Sequence, residues 1–175
     1  MSFIQRCELP ADALLRKYLH GGAYADCYMT DIAKPVSHLE YVEAFYTTRV
    51  FKAERLLLEW LVSRPSTDLE ARQLAAGSLG SFAAWRVEGR CADQILLADF
   101  TGRTRSWLMI AALEGSGATP GTRLYFGSAV IPVMCGGTAT AGLGFTFGLL
   151  LGFHKLYSRV LLRAARSRLA RQRAS

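Results

Sequence analysis

The sequence predicts a single α+β domain: one strand, two helices, four strands joined as antiparallel hairpins, and a long closing helix. Three observations carry this prediction. Hydrophobic periodicity switches between two-residue and three-to-four-residue spacing in that order along the chain. The connections between the later strands are short and rich in glycine, as hairpins require. The chain has 175 residues, 51% hydrophobic and 20% charged, which suits one domain with a substantial core and excludes disorder.

Residues 1–22 read as a loosely structured entry. Leu14, Leu15, Tyr18 and Leu19 have helical spacing and allow a short helix before Gly21-Gly22. Tyr24 to Ile32 is aromatic and β-branched with no breaker until Pro35, so it reads as the first strand. Ser37-His38-Leu39-Glu40 is a capping-box pattern. The helix it opens is expected to run to about Val62, on the spacing of Val42, Phe45, Tyr46, Val50, Ala53, Leu57, Trp60 and Leu61. Thr67-Asp68-Leu69-Glu70 is a second capping box, opening a shorter helix that ends at Gly77.

Strand-like runs follow over roughly 82–89, 93–100, 103–114 and 122–133. Breaks fall at Gly89-Arg90, Thr101-Gly102 and Gly115–Gly121. Gly136-Gly137 ends the series. A helical pattern is then clearest in Phe153, Leu156, Tyr157, Val160, Leu161 and Ala164, with Lys155, Arg159 and Arg163 on one exposed stripe. The expected organisation is an entry segment 1–23, a domain 24–165 and a basic extension 166–175.

Charge is distributed unevenly. Leu124 to Phe153 contains no Asp, Glu, Lys or Arg. The tail after it carries seven cations (Lys155, Arg159, Arg163, Arg166, Arg168, Arg171 and Arg173) and no acid. The chain is +7, so residues 1–153 balance to zero and all the excess lies in the tail. The apolar run has two readings. A spanning helix needs about twenty apolar residues, and the stretch after Pro132 reaches that length but is interrupted by glycines. Gly144, Gly148 and Gly152 fall on one helical face, a close-packing stripe in a membrane and a close approach to a sheet in a soluble fold. Residues 134–153 are therefore either core helix or membrane-embedded. The cations beyond them, Arg163, Arg166, Arg168, Arg171 and Arg173, would meet an anionic membrane surface. Nucleic acid is the weaker partner, since no interleaved exposed aromatics and no nucleic-acid motif accompany the basic tail.

The four cysteines (Cys7, Cys27, Cys91 and Cys135) form no C-x-x-C pair, and charges interrupt any N-terminal apolar region. Free thiols in the cytoplasm are expected, with the inner face of the cytoplasmic membrane as the surface the tail would meet. No phosphate loop, nucleophile elbow or metal spacing is present, so no cofactor and no metal are expected.

Several strings carry a resemblance. They are Tyr41-Val42-Glu43-Ala44-Phe45-Tyr46-Thr47-Thr48, Phe82-Ala83-Ala84-Trp85-Arg86-Val87-Glu88 and Asp99-Phe100-Thr101-Gly102-Arg103-Thr104-Arg105-Ser106-Trp107-Leu108-Met109. Leu124-Tyr125-Phe126-Gly127-Ser128 and Phe153-His154-Lys155-Leu156-Tyr157-Ser158-Arg159 complete the set. With these, most of residues 24–165 resembles a bacterial family of START-like (SRPBCC, helix-grip) proteins. The resemblance implies a curved antiparallel sheet gripping the C-terminal helix, with a cavity between them, and no particular activity. The apolar, glycine-rich Met134–Gly152 stretch departs from the polar linker such a fold leads one to expect.

The expected function is binding of an apolar or amphipathic small molecule, lipid- or polyketide-like, in that cavity. Trp85, Trp107, Tyr125, Phe126, Phe153 and Tyr157 are the expected wall, and Arg105 and His154 the expected polar contacts. Strand alternation puts Arg105 and Trp107 on one face. If that face lines the cavity, Arg105 anchors an anion; if it faces out, the pair makes a surface cation–π contact. The Asp99–Trp107 segment otherwise reads as a turn. A cyclase or hydratase is the first alternative, with His154 as weak candidate acid/base and Arg105 holding an oxyanion. The second is a membrane-associated accessory protein held by residues 134–175.

Overall fold

The computed structural model describes residues 3–21, 23–53, 66–113, 120–131 and 144–172, and the side chains of all of these except 20, 21 and 144–155. Strand β1 (Gln5–Arg6) is followed by a 3₁₀ helix (Leu14–Gly21), β2 (Tyr24–Ile32), α1 (His38–Tyr46) and α2 (Asp68–Ala76). Then come β3 (Ser81–Phe82), β4 (Trp85–Arg90), β5 (Gln94–Asp99), β6 (Thr104–Leu113), β7 (Gly121–Val130) and α3 (Gly144–Arg171). The strands form one antiparallel sheet in the order β1-β2-β7-β6-β5-β4-β3. The fold is α+β, with the C-terminal helix packed on the sheet in a helix-grip arrangement, as expected.

Local chemistry explains the element ends. Ser37 and Thr67 each accept the backbone N–H of the glutamate three residues on, and Glu40 and Glu70 reach back, so both capping boxes form. Gly77 adopts φ 81 and ends α2 in a left-handed turn, and the Arg90 guanidinium donates to the Leu74 and Ala75 carbonyls left open there. A bidentate pair between Arg123 and Asp31 (2.8 and 3.0 Å), directly opposed on β7 and β2, pins the register of the longest-range pairing.

The expected helix from Ser37 to Val62 is interrupted. It stops at Tyr46 and a second helical stretch starts at Arg49, of which 49–53 lie within the described residues. The Thr47 hydroxyl donates to the Glu43 carbonyl and the Thr48 hydroxyl to that of Phe45, while Thr48 Oγ1 accepts the Phe51 N–H. Two threonines thus close one helix and cap the next.

Both faces of the sheet are covered. One face carries α1, α2 and α3 over a core that includes Tyr41, Phe45, Leu74, Leu97, Leu108, Phe126 and Leu162. The other is covered by the N-terminal segment. Leu15 is fully buried there against Cys27, Leu96, Trp107 and Ala129, with Leu9, Leu14 and Tyr18 around them. Gln94 ties this cover down: its Oε1 accepts the Leu14 N–H (3.0 Å) and the Trp107 indole N–H (2.9 Å), and its Nε2 donates to the Asp12 carbonyl. Residues 144–153 are helical, whereas 134–143, Cys135 among them, lie outside the described residues. No helix among the described residues is long and apolar enough to cross a membrane.

Candidate functional site

Between the sheet and α3 lies a cavity of about 270 Å³. Its apolar wall is drawn from helices, strands and the β5–β6 turn. Phe45 on α1 packs between Phe51 in the second helical stretch and Phe126 on β7, with ring centroids 6.3 and 4.9 Å away. Leu161 closes the α3 side, and Trp85 and Phe100 line the end near the β5–β6 turn. Aromatic side chains from α1 are drawn inward because the helix buries one whole stripe, Tyr41, Val42, Ala44 and Phe45, against the sheet.

The polar part of the lining is concentrated on the middle strands. Thr104 and Ser106 on β6, Ser128 on β7, and Tyr157 and Ser158 on α3 all border the cavity. Ser106 lies opposite Ser128, and Ser128 lies opposite Asp26 on β2. The three form a row across adjacent strands on the helix-facing side. The Ser128 hydroxyl donates to Asp26 Oδ1 at 2.5 Å, and Tyr46 Oη stands 3.5 Å from Ser106 Oγ. Two buried polar atoms near the cavity have no hydrogen-bond partner among the described residues: Asp26 Oδ2 and the Trp85 indole nitrogen.

Of the expected wall residues, Trp85, Phe126 and Tyr157 line the cavity together. Trp107 and Tyr125 do not. Their neighbours in sequence, Leu108 and Phe126, face the helices, so alternation turns both to the opposite face, where they pack beneath the N-terminal cover. Trp107 is fully buried there, donating to Gln94 rather than facing a ligand.

Arg105 shares that opposite face, as alternation predicts. It borders the cavity, but its guanidinium turns away. Its Nε lies 2.5 Å from Glu88 Oε2 and 2.8 Å from the Tyr18 hydroxyl, and the guanidinium sits 4.8 Å from the centre of the Tyr18 ring. Glu88 is the extra residue of a β-bulge between Val87 and Gly89. Burial raises its carboxyl, but hydrogen bonds from Lys17 and Tyr18 and the Arg105 charge outweigh that and hold it below the ordinary value. The cation expected to anchor an anion is therefore an internal ion pair, with Tyr18 as its cation–π partner in place of Trp107.

The Asp99–Trp107 segment forms the turn the sequence allows: Asp99 Oδ1 accepts the N–H groups of Arg103 and Thr104, Thr101 donates to Oδ2, and Gly102 has φ 71. Phe153 and His154 lie on α3, but their side chains fall outside the described residues. Among the basic residues, Arg163 and Arg171 are exposed, Arg166 donates to the Asp31 carbonyl and Arg168 to that of Thr47. Arg173 is outside the described residues. No group of three or more His, Cys, Asp or Glu able to hold a metal occurs among the described residues.

The residues missed by sequence reasoning include Phe45, Phe51, Ser106, Ser128, Ser158 and Leu161 on the lining and Asp26 behind it. For the strand residues a signal exists: Asp26 alternates with Tyr28, Ser106 with Leu108 and Ser128 with Phe126, so each is a polar residue on a core-facing position.

No protein-family model and no curated protein matches the chain. Among solved structures it is similar to CalU16 from Micromonospora echinospora, at 14% identity over 96% of this chain and 92% of that one, with a TM-score of 0.32. A likeness that low carries no weight here; the sheet and helix described above are compatible with the START-like expectation on their own geometry.

Proposed function

We propose that this chain is a START-like binding protein that holds an apolar or amphipathic small molecule between its sheet and C-terminal helix. The observation that carries the reading is the cavity itself, about 270 Å³, with an aromatic wall at Phe45, Phe51, Trp85 and Phe126 and hydroxyl groups gathered on β6, β7 and α3. Apolar lining with a few placed polar groups is the usual composition of a small-molecule site.

Displacement of the neutral fluorophore N-phenyl-1-naphthylamine tests this. The wild-type chain binds the probe, and Leu161→Trp, which fills the cavity with its own indole, weakens binding by about tenfold or more while the thermal transition is kept. Equal affinity in both proteins would remove the cavity as the binding place. Native mass spectrometry of protein purified from its own host then identifies what the cavity carries. The cyclase or hydratase alternative lacks its oxyanion holder, because Glu88 and Tyr18 take the Arg105 guanidinium.

A second reading, attachment to an anionic membrane surface through the C-terminal helix, is favoured by a different observation. Leu156 and Val160 are 61% and 40% exposed on α3, beside the exposed Arg159 and Arg163. Sedimentation with phosphatidylserine vesicles at low salt, lost in Arg159→Glu/Arg163→Glu, supports it. No sedimentation of the wild-type chain at low salt removes it.

A further inference from the structure

The row Asp26, Ser128 and Ser106 is out of place in a core. The three residues are 3%, 2% and 5% exposed, on adjacent strands, facing α3. Neighbouring positions on the same face are Tyr28, Phe126 and Leu108, all in the hydrophobic core. A buried carboxyl is costly unless its oxygens find donors. Asp26 has one donor, Ser128, and its Oδ2 has none among the described residues. Ser128 and Ser106 line the cavity, and the Asp26 carboxyl stands behind that lining, joined to it through the Ser128 hydroxyl at Oδ1.

Charge around the cavity points the same way. Asp99 borders it, with both carboxyl oxygens engaged in its turn. The one cationic residue among the described lining residues, Arg105, directs its guanidinium to Glu88 and Tyr18 on the far face. An anionic head group would thus lie against hydroxyls backed by a buried carboxyl, with no available cation among the described lining residues. A hydroxyl or amine would meet an acceptor that lacks a donor.

We propose that Asp26, Ser128 and Ser106 form the head-group subsite of this cavity, and that it takes an amphiphile whose polar end donates a hydrogen bond, an alcohol or an amine, and rejects a carboxylate. The assignment rests on the cavity-binding reading above and narrows it. The hydrogen bond runs from the ligand O–H or N–H to Asp26 Oδ2, with Ser128 holding Oδ1 and thereby the carboxyl plane. Ser106 flanks the head group and can donate to an alcohol oxygen.

Calorimetric titration of the full chain with 1-decanol, decylamine and decanoate, each below its aggregation concentration, tests the assignment, because the three probes share one alkyl chain. Decanol or decylamine, or both, should bind about tenfold or more tightly than decanoate, the size of effect expected for one hydrogen bond to a carboxylate. The difference between those two tells a neutral head group from a cationic one. Asp26→Asn keeps the side-chain shape but can place an N–H where Oδ2 stood, so the preference should shrink by about tenfold or reverse. Should Asp26→Asn not fold, Ser128→Ala, which frees the carboxyl from its orienting bond, should reduce the same preference. Equal binding of all three probes, or an undiminished preference in a folded variant, overturns the subsite and leaves the cavity reading standing. Absence of binding by all three overturns both.

Discussion

His38, the first residue of α1, shows how a single side chain couples this fold to pH. It is buried, and its Nε2 has no partner among the described residues. Burial, reinforced by the Arg90 charge, pulls its pKa down from 6.5 to about 4, against smaller opposing effects of the Leu108 backbone and Asp93. The unfolded chain therefore takes up a proton at His38 near pH 6.5, whereas the folded chain does so only near pH 4. In that window the unfolded state binds more protons, so stability rises with pH. His38's contribution is fully present above pH 6.5, drains as the pH falls to about 4 and is flat below. The full swing is at most about 3 kcal/mol. Urea midpoints measured at pH 7 and pH 5 should fall less on acidification in His38→Gln than in the wild-type chain. An unchanged difference would place the acid sensitivity elsewhere.

At the scale of elements, the sheet edge carries a pair of thiols. Cys7 follows β1 and, with Arg6 opposite Tyr28, comes to lie opposite Cys27; its N–H donates to the Cys27 carbonyl at 3.0 Å, and the Sγ atoms are 3.3 Å apart. A directly opposed antiparallel pair of this kind has Cα atoms about 5.5 Å apart, within the range a disulfide spans. The hydrogen bond with Cys27 holds the Cys7 thiol below its ordinary pKa, against burial and with help from Arg123. The same contact, with burial, pushes Cys27 up. Cys7 is thus the thiolate that attacks first when an oxidant such as diamide accepts the two electrons. Treating Cys91→Ser/Cys135→Ser with diamide should remove two hydrogens by intact mass and raise stability by about 3 kcal/mol. No mass loss, or covalent dimers instead, would count against the pairing. The pair also marks what a sequence can and cannot tell. Tyr24–Ile32, both capping boxes and the shared face of Arg105 and Trp107 are legible because each rests on neighbours in the chain. The helix break is hidden, since Thr47 and Thr48 sit inside an unbroken apolar spacing and act through hydroxyl bonds. Which face of β6 meets the helices is hidden for another reason: Trp107, Leu108 and Met109 are consecutive and all buried, so both faces look like core. The Asp26–Ser128 bond joins residues 102 apart and needs a register no local pattern supplies.

For the whole molecule, the sheet is a common wall between two hydrophobic clusters, and that decides how it unfolds. Leu15 belongs to the N-terminal cover and Leu108 to the helix side, and both are fully buried. Adjacent residues of β6, Trp107 and Leu108, point into different clusters, so losing one layer uncovers the strand that supports the other. Were residues 1–21 a detachable entry segment, Leu15→Ala would loosen that segment and leave the main transition where it was. With Leu15 wedged against Trp107 and Gly127, and Gln94 holding both Leu14 and the Trp107 indole, the cover should instead melt with the sheet. Leu15→Ala and Leu108→Ala should each cost about 2–5 kcal/mol, and each should move one and the same urea transition, coincident by far-ultraviolet circular dichroism and tryptophan fluorescence. Two separated transitions in Leu15→Ala, the earlier seen by fluorescence alone, would show that the N-terminal layer folds apart from the domain it covers.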